Sequence, residues 1–300
     1  LGMQWEKALE DYGYYLRLEQ GLSENTIEGY QFDVKRLMRY CENLDNNNKP
    51  QNVDADSLKD FVYQLSKEVQ PTSQSRILSG LKGFFGYLEL EGYRKDNPTL
   101  LLETPKTRKT FPDTLAVEEV DALIQSIDKD SRHGMRNHCI LELLYSCGLR
   151  VSELTELKCS DLFFEKGVIR VKGKGDKLRW VPIADSTIKL ISAYELRHRH
   201  RPAARGFEDI LFLNNRGKSI TRVMVYTIVK QAALLANINK NISPHTLRHS
   251  FATHLVENGA DIQLVQHMMG HASITTTERY IHMSQRHLKD AISKFHPRSS

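Results

Sequence analysis

The stretch SPHTLRHSFATHLVENGADIQLVQHMMGHASITTTERYIHM, residues 243–283, sets out His245, Arg248, His271 and Tyr280 in order. His245 and Arg248 stand three apart, so on a helix both side chains project from one face and can address one anion together. His271 follows a glycine in Met269-Gly270-His271. Tyr280 comes nine residues later, after a Ser273–Thr277 segment that reads as a cap and a fresh helix start. The tyrosine is therefore expected on a separate element. Taken singly these signals are ordinary. An HxxR pair is often a salt-bridged surface pair, and a lone tyrosine commonly packs its ring and wets its hydroxyl. Upstream residues give the set a chemistry.

Those residues are Arg150 and Lys174. Cys147-Gly148-Leu149-Arg150 is a sharp break after a helix read over 136–146. VSELTEL then reads as a short helix, which puts Arg150 on a turn at a helix start. A hairpin follows: GVIRV (167–171) and RWVPI (179–183) are rich in β-branched and aromatic residues, and KGKGDK between them has the glycines a turn demands. Lys172, Lys174 and Lys177 crowd its tip. GKGDK lacks the GxxxxGK[ST] spacing of a nucleotide-binding loop. Helices are expected over most of 184–300, interrupted by a short strand ILFLN at 210–214. A helix over 221–236 carries Arg222, Tyr226 and Lys230, and the last one, 287–295, runs into His296-Pro297-Arg298.

The N-terminal third reads as a four-helix bundle with short loops. Leu1 and Gly2 before Met3 are read as an expression scar. Trp5, Leu9, Tyr12 and Leu16 recur at helical spacing over 5–18. Ser23 caps a second helix with Thr26, Tyr30, Val34, Leu37 and Tyr40 inward and Lys35, Arg36 and Arg39 on its other face. After a loop at 46–50, Asp54 or Asp56 caps a third helix to Glu68, with Leu58, Phe61, Val62 and Leu65 inward. Pro71 opens a fourth, from Thr72 to Glu91, that leaves Ser73, Gln74, Arg76 and Lys82 on its outer side. The segment 103–112, within NPTLLLETPKTRKTFPD (97–113), is expected to link residues 3–102 to a second domain over 113–300.

Composition narrows the class. Three hundred residues favour two domains. No apolar run of about 18 residues exists and no leader pattern precedes a cleavage site, so a membrane span is not expected and the cytoplasm is. Cys41, Cys139, Cys147 and Cys159 show no CxxC spacing and are expected as reduced thiols. Of the 42 Lys/Arg and 37 Asp/Glu, the first 105 residues hold 12 and 17, which leaves 30 and 20 beyond them. The positive field thus lies with the HxxR and tyrosine region, where it attracts polyanions.

A phosphodiester suits these residue types. Arg150 and Arg248 can fork its non-bridging oxygens and stabilise the added charge of five-coordinate phosphorus. No carboxylate cluster of the kind that binds paired Mg²⁺ lies near these motifs. HTLRH (245–249) has HxxxH spacing, but Thr246 stands where a metalloprotease helix carries Glu. No metal and no cofactor are expected. Tyr280 is the expected nucleophile, activated by a cationic pocket with His245 as base. Lys174 is the expected donor to the leaving alkoxide, and His271 would donate to a phosphate oxygen. Glu153 would orient Arg150 or His245. Candidate DNA contacts are Lys35, Arg36, Ser73, Gln74, Arg76, Lys82, Lys172, Lys177, Arg222 and Lys230.

GLRVSEL (148–154), the Lys174 hairpin, HTLRHSFATHL (245–255), Met269-Gly270-His271 and Tyr280 resemble the Arg, Lys, His-x-x-Arg, His and Tyr set of the tyrosine recombinases. SENTIEGYQFD (23–33), TSQSRILSGLKGFFGYL (72–88) and the terminal HPR are similar to their Xer subgroup, so the resemblance spans nearly the whole chain. It implies a mainly α fold with a small β-sheet: a SAM-like core-binding helical domain followed by an α+β catalytic domain with a tail helix that docks on a neighbouring protomer. It further implies a 3′-phosphotyrosyl intermediate, strand exchange through a Holliday junction without metal or ATP, and chromosome dimer resolution at a dif-like site. The implied partners are double-stranded DNA, a homo- or heterotetramer on two sites that can include a second Xer recombinase, and an FtsK-like DNA translocase. Met268 and Met269 replace the usual leucines, and Ala116 stands where a capping Ser or Thr is common. Rival readings are a mobile-element integrase, which would carry an arm-binding domain before residue 1, and a type IB topoisomerase. A non-catalytic sequence-specific DNA-binding protein has no need of Tyr280, and a histidine phosphatase would need a small-molecule phosphate loop.

Overall fold

The structure, a computed structural model, describes residues 4–43, 49–105, 114–173, 177–199, 202–270 and 285–299, with backbone only at 285–287, 289 and 299. The chain divides into two compact units, Leu1–Thr110 and Phe111–Ser300.

The first unit is the helical bundle: α1 (Trp5–Leu18), α2 (Glu24–Glu42), α3 (Ala55–Glu68) and α4 (Pro71–Leu90). Their starts follow local chemistry. Asp54 accepts the amide proton of Ser57 at the head of α3, and Pro71, which has no amide to satisfy, sits in the first turn of α4. The core is aromatic in its centre, with Tyr12 edge-on to Phe84 at 5.3 Å and Phe84 edge-on to Phe85 at 5.4 Å. Each fully buried side chain of this size contributes about 1.5–3 kcal/mol. Gln74 departs from the expectation for α4. It is buried against α3 and donates to the Val62 carbonyl at 3.3 Å rather than facing outward. One turn of α4 carries it past the outer edge, and its amide is satisfied by backbone.

The second unit is wrapped around α6 (Gly134–Ser146), which follows α5 (Val117–Gln125) and is buried along most of its length: Cys139, Ile140, Leu141, Leu143, Leu144 and Tyr145 are all buried, and so are the polar Arg136, His138 and Glu142. Around it lie α7 (Val151–Thr155), α8 (Asp185–Arg197), α9 (Arg222–Leu235), α10 (Pro244–Glu257), α11 (Ile262–Met269) and α12 (Gln285–Phe295). A three-stranded antiparallel sheet covers one side: β1 (Leu162–Phe163), β2 (Val168–Lys172) and β3 (Leu178–Pro182), in that order. The hairpin register pairs Ile169 with Val181 and Val171 with Arg179.

One expectation is corrected here. ILFLN forms no strand. Leu211 and Phe212 are fully buried, but the segment makes only isolated bridges, Lys158 to Ile210 and Leu213 to Ser219. A short apolar run reports burial, and burial does not require a ladder. Conversely β1, too short to show periodicity, was not expected. The helix α12 packs on its own unit through Leu288, Ala291 and Ile292, and Arg298 beyond it lies 2.8 Å from Asp121. In a single chain its apolar face has its own core to cover. No helix among the described residues is long and apolar enough to cross a membrane. The cysteines are free thiols. Part of the expected 46–50 loop and of the 103–112 linker lies outside the described residues.

Candidate active site

The site begins with a glycine. Gly148 takes φ +56°, and a Cβ there would stand 2.5 Å from the Phe251 ring, so the break after α6 accepts no other residue without displacing α10. The break turns Arg150 to the N-cap of α7, where Glu153, in the third helical position, accepts the Arg150 amide at 2.8 Å. Three residues of spacing thus place an arginine and a carboxylate at one helix start.

Arg248 arrives from the other side. Ser243 caps α10 by accepting the Thr246 amide, and Pro244 occupies its first turn. Arg248, on the next turn, is buried and donates to the carbonyls of Gly148 and Met269. Its Nη1 is 3.7 Å from Glu153 Oε2. Arg150 donates to Glu153 Oε1 at 2.8 Å and to the Gly270 carbonyl at 3.1 Å, with its side chain 29% exposed. A third guanidinium, Arg179 on β3, grips both Glu153 oxygens at 2.5 and 2.9 Å.

Three guanidiniums therefore converge on one carboxylate. Burial alone would push the Glu153 carboxyl up, but hydrogen bonds and charge from Arg179 and Arg150 outweigh it and hold the group below its ordinary range. Burial and the neighbouring Arg150 push the Arg248 guanidinium down to about 10, which leaves it charged at neutral pH. The cluster is net positive, with Arg150 as its exposed member, and is suited to an anion with forked oxygens.

Of the expected catalytic set, the structure brings together Arg150 and Arg248. His245 is on α10 one turn before Arg248 and is exposed. Glu153 orients the arginines. Lys174, His271 and Tyr280 lie outside the described residues, but chain neighbours of the first two do not. A Cβ on Gly173 would stand 3.6 Å from Arg179 Nη1 and 3.9 Å from Glu153 Oε1. Gly270, in the left-handed region at φ +66°, caps α11 and packs on Arg179, whose Cδ would be 3.1 Å from an added Cβ.

Arg179 is the residue sequence reasoning passed over. The signal for it was there: it shares a strand face with the buried Val181, and an arginine at a core-facing position needs a buried partner.

The candidate DNA contacts divide. Lys35, Ser73, Lys177 and Arg222 are exposed and Lys82 is half-buried. Lys172 is exposed on β2. Arg36 is paired with Glu68 at 2.6 Å, and Lys230 donates to Asn241 Oδ1 at 2.5 Å. Arg76 is held by both oxygens of the buried Asp33 at 2.6 Å, and Gln74 is buried.

Comparison with known proteins agrees with the fold. Residues 113–287 match the phage integrase family, and residues 9–92 match the phage integrase N-terminal SAM-like domain. The chain belongs to the phage integrase family and is a tyrosine recombinase, an enzyme that cleaves and rejoins DNA at specific sites. It is similar to the tyrosine recombinase XerD of Staphylococcus haemolyticus, 38% identical over 300 residues that cover 98% of this chain and 100% of the relative. The tyrosine recombinase XerD of Oceanobacillus iheyensis is 40% identical over 296 residues, 98% and 99% of the two chains. Among solved structures, the XerH site-specific recombinase bound to a difH substrate before cleavage is 27% identical, with a TM-score of 0.69 over 97% of this chain and 84% of that one.

Proposed function

We propose that this recombinase acts at a pair of dif-like chromosomal sites to resolve chromosome dimers, with Tyr280 as nucleophile. The observation that carries the chemistry is the convergence of Arg150 and Arg248 on Glu153. Glu153 and the Gly270 carbonyl fix the fork of Arg150, the Gly148 and Met269 carbonyls fix that of Arg248, and the remaining N–H donors of the two can hold the non-bridging oxygens of one phosphodiester. In this reading His245 takes the proton of Tyr280. The tyrosyl oxygen attacks phosphorus, the bond to the 5′ oxygen breaks, and Lys174 supplies the proton that turns the leaving alkoxide into a hydroxyl. His271 donates to a non-bridging oxygen. The 3′-phosphotyrosyl bond keeps the energy of the broken linkage, so attack by a 5′ hydroxyl from the other duplex rejoins strands without ATP or metal.

The XerD relatives and the difH-bound XerH structures, before and after cleavage, support duplex DNA of this kind as the partner. Four protomers, alone or with a second Xer recombinase, would embrace two sites in the cytoplasm under control of an FtsK-like DNA translocase. The test is incubation with a nicked duplex bearing a dif-like site in the presence of chelator. A covalent protein–DNA band is expected from the wild type and none from Tyr280→Phe. A mobility shift without a covalent band in either protein would remove autonomous cleavage from the reading.

A further inference from the structure

Each of the three guanidinium nitrogens of Arg179 donates to protein. Nη1 and Nη2 take the two oxygens of Glu153, and Nε donates to the Met268 carbonyl at 2.9 Å. Its side chain is only 12% exposed. The fork therefore joins three elements: β3, on which it sits, α7 through Glu153, and the last residues of α11 through Met268. Gly173, across the base of the hairpin, donates its amide to the Lys177 carbonyl at 2.8 Å and lies against the Arg179–Glu153 pair. Lys174 is the next residue in the chain.

A hairpin places a side chain beyond its base only as well as that base is held, and short strands hold themselves poorly. We propose that Arg179 is a positioning residue for strand cleavage: it pins the β2–β3 hairpin to Glu153 and to the end of α11, and so sets Lys174 to protonate the leaving 5′ oxygen. This rests on the reading of Lys174 as proton donor. All three guanidinium nitrogens of Arg179 are engaged with protein and its side chain is 12% exposed against 29% for Arg150, which separates its role from that of Arg150. Proton transfer requires heavy atoms within about 2.6–3.2 Å, so a loosened base is felt first in that step.

The leaving atom provides the test. An alkoxide must be protonated as it departs, whereas a thiolate, whose thiol titrates near ~8.5, leaves without a proton. Wild type, Lys174→Ala, Arg179→Met and Arg179→Lys are assayed for covalent complex on two dif-like duplexes, one with the natural 5′ oxygen and one with a bridging 5′ sulfur at the scissile phosphate. Site binding and thermal melting are followed in parallel. Arg179→Met is expected to lose at least ~10-fold on oxygen, as a misplaced general acid does, and to recover to within a few-fold of wild type on sulfur. Arg179→Lys, which keeps the charge but cannot fork Glu153 and reach Met268 together, falls between them and serves where Arg179→Met melts early. Equal losses on both duplexes would show that Arg179 supports the fold or the arginine clamp and overturn the inference, as would no loss on either. If Lys174→Ala itself is not rescued by sulfur, the proton-donor reading fails and takes this inference with it. If the wild type cleaves neither duplex, the proposed function fails first.

Discussion

Each unit buries a carboxylate beside arginine, and the two sites behave in opposite ways. In the first unit Asp33 is fully buried and meets one guanidinium, Arg76, whose side chain is 51% exposed. Burial wins there, and the carboxyl is raised above its ordinary value. In the second unit Glu153 is as deeply buried but meets three guanidiniums, and its carboxyl is lowered. The first arrangement consumes its charge and joins α2 to α4. The second leaves surplus positive charge fixed in direction, which is what a phosphodiester needs. A buried ion pair is structural when the charges cancel; it becomes a candidate site when they do not.

The largest effect expected from breaking this contrast is on chemistry. Arg248→Lys keeps a charge but cannot donate to Gly148 and Met269 while presenting a fork. Covalent complex formation is expected to fall about 10²–10³-fold, as for loss of one fixed donor to a transition-state oxygen, with site binding retained in a mobility-shift assay. A loss confined to binding would mean that Arg248 holds DNA rather than the reacting phosphate.

Next comes stability. Glu153→Gln leaves Arg248 buried without its compensating charge and is expected to cost about 3 kcal/mol in chemical denaturation of the second unit. Asp33→Asn frees an arginine that already reaches water and is expected to cost about 1 kcal/mol in the first. Equal costs would erase the distinction drawn above.

The smallest effect is the sharpest, because its sign differs between the sites. Glu153, lowered on folding, contributes stability that is present above the ordinary Glu value of ~4.3 and lost as pH falls through its folded value. Asp33, raised on folding, contributes stability that is present below the ordinary Asp value of ~3.9 and lost as pH rises through its folded value. Between pH 3 and pH 7 the cost of Glu153→Gln should therefore grow while that of Asp33→Asn shrinks. Denaturation curves of the two variants against wild type across that range check both slopes. Parallel slopes would mean that the same balance of burial and charge governs both groups.

The legible parts of this molecule are those in which a residue's neighbours in sequence are its neighbours in space. The four bundle helices, the Gly148 break and the hairpin all follow from caps, periodicity and turn residues that act over a few positions. The pairing of Arg150 with Glu153 is of the same kind, since it closes within one turn. Gln74 was misplaced because a polar residue at the margin of a helical face is sided by the neighbouring helix, here through Val62 of α3. ILFLN misled because burial and strand pairing leave the same apolar signature over five residues.

The amino-acid order by itself determined which residue types are present, at what spacing, and hence the phosphoryl-transfer chemistry they can perform. Only the tertiary structure decided how they share one carboxylate. Arg248 lies 95 residues beyond Glu153 and Arg179 lies 26 beyond it, and both reach it from different elements. Such contacts depend on how α10, β3 and α11 close around α6, and that closure is set by the summed packing of the core rather than by any local preference. The same holds for Arg76. Its sequence offers a free cation, and the fold gives it to Asp33.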